Sequence, residues 1–131
     1  MINQVILCVD DEKMVLNSLT RELKEHFGNG YLYESAENAD DALELLDELH
    51  EDGMRVILLI SDWLMPGMKG DELLILVRAK YPDIVTIMLT GQASAEAIER
   101  TKTQAHLHRY LHKPWTTEQL VEAIRSGLPS A

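Results

Sequence analysis

The sequence predicts an α/β protein, a doubly wound parallel sheet with helices on both faces. Two observations carry that prediction. Short runs of almost purely apolar residues recur along the chain, and a longer stretch with helical periodicity follows each one. A third supports them: polar residues capable of chemistry stand directly after the apolar runs. A strand apolar on both sides is what a parallel sheet requires, because helices cover both of its faces.

The first strand is Val5-Ile6-Leu7-Cys8-Val9. Val15, Leu16, Leu19, Leu23 and Phe27 then fall on one face of a helix, which Gly28-Asn29-Gly30 stops. Leu32–Ala36 makes a weaker strand, and Tyr31 and Tyr33 suggest a place at the sheet edge. Ala39, Ala42, Leu43, Leu45, Leu46 and Leu49 build a second helix, ended by Gly53. Val56-Ile57-Leu58-Leu59-Ile60 is the next strand and Gly70–Lys80 the third helix. Ile84-Val85-Thr86-Ile87-Met88-Leu89 is the fourth strand, and Ser94 caps a helix reaching about Gln104. That fourth helix has a thin apolar face of Ala95, Ala97, Ile98 and Ala105. Arg109-Tyr110-Leu111-His112 forms a short last strand. Thr116, with Gln119 three positions on, is a capping box opening a final helix through Leu120, Val121, Ile124 and Leu128.

Five strands alternating with five helices fit one domain over residues 1–128, with 129–131 as a short tail or the start of a linker. The chain has 22 acidic against 12 basic side chains, a net charge of −10, which argues against direct nucleic-acid binding. Its one cysteine, Cys8, lies inside an apolar run and reads as a small core residue. No apolar stretch is long enough to span a bilayer, and the first residues lack the pattern of a secretion signal, so a soluble cytoplasmic protein is expected. No glycine-rich phosphate loop is present. His106, His108 and His112 have no acidic or thiolate partners beside them to close a zinc site.

In sheets of this kind, ligands bind beyond the carboxyl ends of the strands, where the winding reverses. The first strand ends in Asp10-Asp11-Glu12, the third in Ser61-Asp62, the fourth in Thr90-Gly91 and the fifth in His112-Lys113-Pro114. Each group alone has a plain explanation: acids before a helix complement its dipole, and Lys113 could be a solvated charge. Together at one rim they suit the handling of a phosphoryl group. Clustered carboxylates attract a hard cation such as Mg2+, and a carboxylate can itself accept a phosphoryl group. Lys113 supplies a compact positive charge, Thr90 a hydroxyl, and Gly91 an unobstructed backbone N–H.

These residues resemble the signature of response-regulator receiver domains. The resemblance rests on Asp10-Asp11, on Asp62-Trp63-Leu64-Met65-Pro66-Gly67-Met68-Lys69-Gly70, on Thr90-Gly91 and on Lys113-Pro114, and runs from about Val5 to Leu128. It implies a flavodoxin-like sheet in the order 2-1-3-4-5. It also implies that Asp62 accepts a phosphoryl group from a phosphohistidine on a sensor histidine kinase or histidine phosphotransfer protein. Asp11 would bind Mg2+ directly and Asp10 through water, with the Asp62 carboxylate and the Leu64 backbone carbonyl completing the set. Thr90, Gly91 and Lys113 would hold the phosphoryl group, and the Lys113-Pro114 bond would be cis. Thr90 and Tyr110 match the family's switch pair, which would repack the surface formed by the fourth helix, fifth strand and fifth helix. Leu64 and Gln92 would influence the lifetime of the aspartyl phosphate. Such a protein is a signalling switch rather than an enzyme, although it assists its own phosphorylation and dephosphorylation, and it acts through an output domain or effector outside this chain.

Two other readings compete. Asp10-Asp11-Glu12 superficially resembles the opening of haloacid-dehalogenase-like phosphotransferases, with Asp10 as nucleophile, but that leaves residues 62–70 without a role. A scaffold that binds partners without phosphorylation is the other. The kinase, stimulus, output and oligomeric state are not written in these residues.

Overall fold

The computed structural model describes residues 2–128; the tail expected at 129–131 lies outside the described residues. The strands are β1 (Gln4–Val9), β2 (Leu32–Ala36), β3 (Arg55–Asp62), β4 (Val85–Thr90) and β5 (Arg109–His112). The helices are α1 (Lys13–Phe27), α2 (Ala39–Glu51), α3 (Gly70–Lys80), α4 (Ala95–Gln104) and α5 (Thr117–Gly127). All strand pairs are parallel and the sheet order is β2-β1-β3-β4-β5, as the resemblance implies. β2 is an edge strand, as its tyrosines suggested.

Two apolar clusters sandwich the sheet. Ile6, Cys8, Leu58, Ile60 and Ile87 point to the side covered by Leu16, Leu19 and Leu23 of α1 and Leu120 and Ile124 of α5. Leu7, Val9, Leu59 and Met88 point to the other side, under Leu46 of α2 and Leu73, Leu74 and Val77 of α3. Alternate residues of one strand thus serve opposite layers, which is why the inner strands β1, β3 and β4 carry no exposed polar face, unlike the edge strands β2 and β5. The pairing of β1 with β3 shifts between Val5 and Ile6, so that Val5 faces Val56 and Ile6 faces Leu58. This bulge lets Ile57 join Leu58 in the layer under α1 and α5.

The helix ends follow local chemistry. Ser94 Oγ accepts the Ala97 N–H at 3.1 Å and Asn38 Oδ1 accepts that of Asp41 at 2.8 Å. Thr116 and Gln119 form the expected reciprocal box. Gly53, with φ +77°, takes the chain out of α2 in the left-handed conformation glycine favours. Several boundaries differ slightly from the periodicity: β1 starts one residue earlier, at Gln4, and β3 extends from Arg55 through Asp62. α1 starts two residues earlier than its first apolar position, β4 begins after Ile84, and α5 ends at Gly127 with Leu128 as its cap. Helix ends depend on capping and strand ends on pairing, neither of which hydrophobic spacing reports.

The order of strands fixes where the chemistry converges. Winding reverses between β1 and β3, the two central neighbours, so their carboxyl ends open side by side. Val9 pairs with Ser61, Asp62 with Leu89, and Thr90 with His112, which brings the residues ending four strands to one rim.

Candidate functional site

Asp10 follows β1 and is almost wholly buried, with 1% of its surface exposed. Its Oδ1 accepts the Glu12 N–H at 2.9 Å. Its Oδ2 is buried and makes no hydrogen bond. Glu12 stands at the N-cap of α1 without a capping side-chain bond, and the first turn of α1 holds no acid. These acids therefore make no capping hydrogen bond to the helix. Asp62 ends β3 and is 6% exposed, whereas Asp11 is open to solvent. Carboxylate oxygens of Asp10, Asp11 and Asp62 lie within 4.8 Å of one another.

One ammonium faces two of these three acids. Lys113 Nζ is 3.0 Å from Asp62 Oδ1 and 3.5 Å from Asp10 Oδ2. Lys113 is delivered to the rim by β5; its N–H donates to the Thr90 carbonyl at 2.9 Å, and the bond to Pro114 is cis. Burial raises the pKa of Asp10, with the Asp62 charge adding to it against the Glu12 N–H and Lys113. Burial likewise raises that of Asp62, against the hydrogen bond and charge of Lys113. For Lys113, burial acts downward, but the paired Asp62 and then Asp10 outweigh it and the pKa stands above its ordinary value. The site therefore holds more negative charge than its one ammonium neutralises. The Cys8 thiol behind it is pushed up to about 12, by burial first and Asp10 second, and is an inert core group.

The donor set fits a hard divalent cation. All of its side-chain ligands are oxygens, and one buried carboxylate oxygen, Asp10 Oδ2, makes no hydrogen bond and has only the Lys113 ammonium at 3.5 Å near it. Asp11, Asp62, Leu64, Thr90, Gly91 and Lys113 line a single open cleft. Asp10 lies beneath this cleft rather than in its lining. Thr90 is buried, and its Oγ1 accepts the N–H groups of Gln92 at 3.0 Å and Ala93 at 2.7 Å. Gly91 is exposed, and a Cβ there would meet only Lys113, its Cβ at 3.6 Å and its carbonyl oxygen at 3.9 Å, both ordinary contacts. Its small size is thus not imposed by the fold. Tyr110 faces outward, 40% exposed, with Lys102 Nζ 5.7 Å from its ring centre. Among the described residues no histidine joins a group of side chains able to hold a metal, and His108 Nε2 is 2.8 Å from Ser126 Oγ.

Periodicity and motif spacing missed two features around Asp62. A Cβ on Gly70 would stand 2.2 Å from the Asp62 carbonyl oxygen, so only glycine lets α3 start against the end of β3. The Gly70 N–H also donates to the Trp63 carbonyl at 2.8 Å, closing the intervening loop. The second is Asp71, a buried acid at the head of α3, whose Oδ1 accepts the Trp63 Nε1–H at 3.1 Å and whose Oδ2 pairs with Arg100 of α4. An acid in a first helical turn carries no sequence signal beyond favourable dipole placement.

Comparison with known proteins adds independent findings. The sequence pattern of the family described as response regulator receiver domain matches residues 6–125. The chain is 32% identical over 123 residues to the hydrogenase transcriptional regulatory protein HoxA of Cupriavidus necator, covering 94% of this chain and 24% of that one. It is 38% identical over 130 residues to a chemotaxis protein CheY homolog of Campylobacter jejuni, covering 94% of this chain and 91% of that one. Among solved structures, the signal receiver domain of an HD domain-containing protein from Pseudomonas fluorescens superposes with a TM-score of 0.83 at 31% identity, covering 98% and 88% of the two chains. The chain spans about a quarter of the length of the hydrogenase regulators it matches, and most of the CheY homolog.

Proposed function

The chain belongs to the response regulator receiver family, and from that premise we propose that Asp62 is its phosphoacceptor in a domain of residues 1–128. The observation that carries this reading is the single cleft in which Asp62 is reachable and backed by its counter-ion. There the carboxylate stands 3.0 Å from Lys113 and shares the cleft with Thr90 and Gly91. Asp10, Asp11, Asp62 and the Leu64 backbone carbonyl would hold Mg2+, and the buried Asp10 Oδ2, which makes no hydrogen bond, supports that assignment. When bound, the ion supplies positive charge that relieves the carboxylate repulsion and offsets charge on an incoming phosphoryl group.

The transfer itself is a displacement at phosphorus. An Asp62 oxygen forms the new O–P bond as the N–P bond of a phosphohistidine breaks, and the imidazole nitrogen leaves with the electron pair. Lys113, paired with Asp62 beforehand, then offers its ammonium to a phosphoryl oxygen. Thr90 Oγ and the Gly91 N–H are the remaining donors. Drawing the Thr90 hydroxyl inward would cost it the Gln92 and Ala93 N–H groups it now accepts, and so would disturb the segment leading into α4. The outward Tyr110 would then turn toward the space behind Thr90, changing the α4-β5-α5 surface. A sensor histidine kinase or histidine phosphotransfer protein would donate, and an output domain or effector would read the change in the cytoplasm. Leu64, 44% exposed at the cleft, and Gln92 would set access of water to the aspartyl phosphate and hence its lifetime.

Asp10 as nucleophile finds less support, since its Oδ1 is held by the Glu12 N–H and the residue does not line the cleft. Trp63 adjoins Asp62, so its emission tests the proposal. Mg2+ should change it saturably, and beryllofluoride or acetyl phosphate should change it further. Asp62→Asn should abolish the second step, with Trp63→Phe controlling for Trp115. Absence of both responses in the unmodified protein would overturn the proposal and favour a scaffold.

A further inference from the structure

Trp63, Asp71 and Arg100 form a chain of contacts from the residue beside Asp62 to the middle of α4. Asp71 is 2% exposed, and both of its oxygens are engaged, Oδ1 by the Trp63 indole N–H at 3.1 Å and Oδ2 by the Arg100 guanidinium. The indole is covered from another side by Lys69, whose Nζ lies 5.0 Å from the ring centre. A buried carboxylate must keep its partners, because losing one leaves charge uncompensated in a poorly solvated place. Asp71 therefore holds its partners firmly, one in the site loop and one in α4.

α4 has little else to hold it. Thr101 is the one residue of the helix that is fully buried, Ile98 packs partly, and Ala105 follows as its cap. At its head, the segment leading into the helix hangs on Thr90 Oγ1 through the Gln92 and Ala93 N–H groups. On the reading given above, phosphorylation takes that hydroxyl away.

We propose that the Asp71–Arg100 ion pair is a latch that positions α4 in the unphosphorylated protein and opposes occupancy of the Asp62 site. Asp71 and Arg100 act as positioning residues through Trp63 and α4; neither touches the phosphoryl group. A helix pinned at Arg100 resists rearrangement at its head, so part of the affinity for a phosphoryl group is spent in releasing it. By linkage, freeing the pin strengthens binding by the same factor by which binding loosens the pin. The proposal rests on Asp62 being the occupied site.

The test compares the unmodified protein with Asp71→Asn, which keeps an acceptor for the Trp63 N–H, and with Arg100→Gln, which removes the other half of the pair. Arg100→Lys retains the charge and serves as the rescue. Beryllofluoride with Mg2+ is titrated by Trp63 emission, and hydrogen exchange is followed at the α4 amides. Asp71→Asn and Arg100→Gln should each bind beryllofluoride at least threefold more tightly and exchange α4 amides at least fivefold faster without ligand. Arg100→Lys should fall between them and the unmodified protein. Equal or weaker affinity with unchanged α4 exchange in the two neutral variants overturns the latch while leaving Asp62 as phosphoacceptor. No response in the unmodified protein overturns both. A merely structural ion pair would lower the unfolding midpoint but would not tighten the ligand.

Discussion

Two helices flank the site and are held in opposite ways. α1 leads away from Asp10 and Asp11 and inserts Leu16, Leu19 and Leu23 fully into the core. α4 leads away from Thr90 and Gly91 and buries only Thr101 fully, with Ile98 packed in part, an ion pair at Arg100 and two backbone-to-hydroxyl bonds before its head. Both are amphipathic by sequence, so amphipathicity alone does not separate anchor from moving part. What separates them is the amount of apolar surface, since each fully buried large aliphatic side chain contributes roughly 1.5–3 kcal/mol. The acids precede the well-anchored helix, and the Thr90 hydroxyl precedes the thinly anchored one. On the proposed function, that division would let a charge event at Asp62 move α4 while α1 stays in place.

The largest expected effect breaks the comparison at its base. Leu19→Ala should cost about 3 kcal/mol in urea unfolding, whereas Ile98→Ala in α4 should cost about 1 kcal/mol or less. Equal losses would mean that α4 is as well anchored as α1. Gly70→Ala follows, at about 2 kcal/mol, because the added Cβ overlaps the Asp62 carbonyl oxygen and α3 must back away. The same variant should weaken Mg2+ binding, measured by calorimetry, since the end of β3 moves with it.

Asp10→Asn sharpens the comparison in the other direction, as a gain. Burial holds the folded pKa of Asp10 above its unfolded value. Its favourable contribution is therefore present below the unfolded pKa and is lost as pH rises through the folded pKa. At neutral pH the ionised carboxylate costs stability, so Asp10→Asn should raise metal-free stability by about 1 kcal/mol and flatten its dependence on pH in the acid range. Saturating Mg2+, at about 100 times its Kd, should stabilise the unmodified protein by about 2.7 kcal/mol and the variant by clearly less.

The smallest effect lies at the soft end. Burial and then Arg109 hold His108 below its ordinary pKa, against the Ala123 backbone and Glu122. Its contribution is present above the unfolded histidine pKa and is lost as pH falls through the folded value. His108→Gln should remove less than about 0.5 kcal/mol of acid sensitivity, detectable as a shallower fall in the thermal midpoint below neutrality.

Most of this architecture could be read before the structure. The apolar strands are legible because a parallel sheet buries both faces, and Asp10, Asp11, Asp62, Thr90 and Lys113 could be placed because each ends or directly follows a strand. Thr116 and Gln119 announced their capping box because both partners lie within four residues. What escaped depends on contacts between distant residues. Asp71 looks like any acid in a first helical turn until Trp63 and Arg100, 8 and 29 positions away, converge on it. Gly70 gave no hint that its missing Cβ was the space occupied by the Asp62 carbonyl. The bulge at Ile57 was invisible too, since an extra isoleucine in an apolar run leaves the pattern unchanged. The thinness of α4 was legible, but the ion pair that compensates for it was not.

The central claim is that Asp62 receives the phosphoryl group, and mapping the covalent adduct tests it most directly. The protein would be incubated with acetyl phosphate with and without Mg2+, the acyl phosphate trapped by borohydride reduction, and the peptides read by mass spectrometry. The account predicts one modified position, Asp62, dependent on Mg2+ and absent from Asp62→Asn. Modification at Asp10, or an unmodified protein under conditions in which Mg2+ binds, would contradict it.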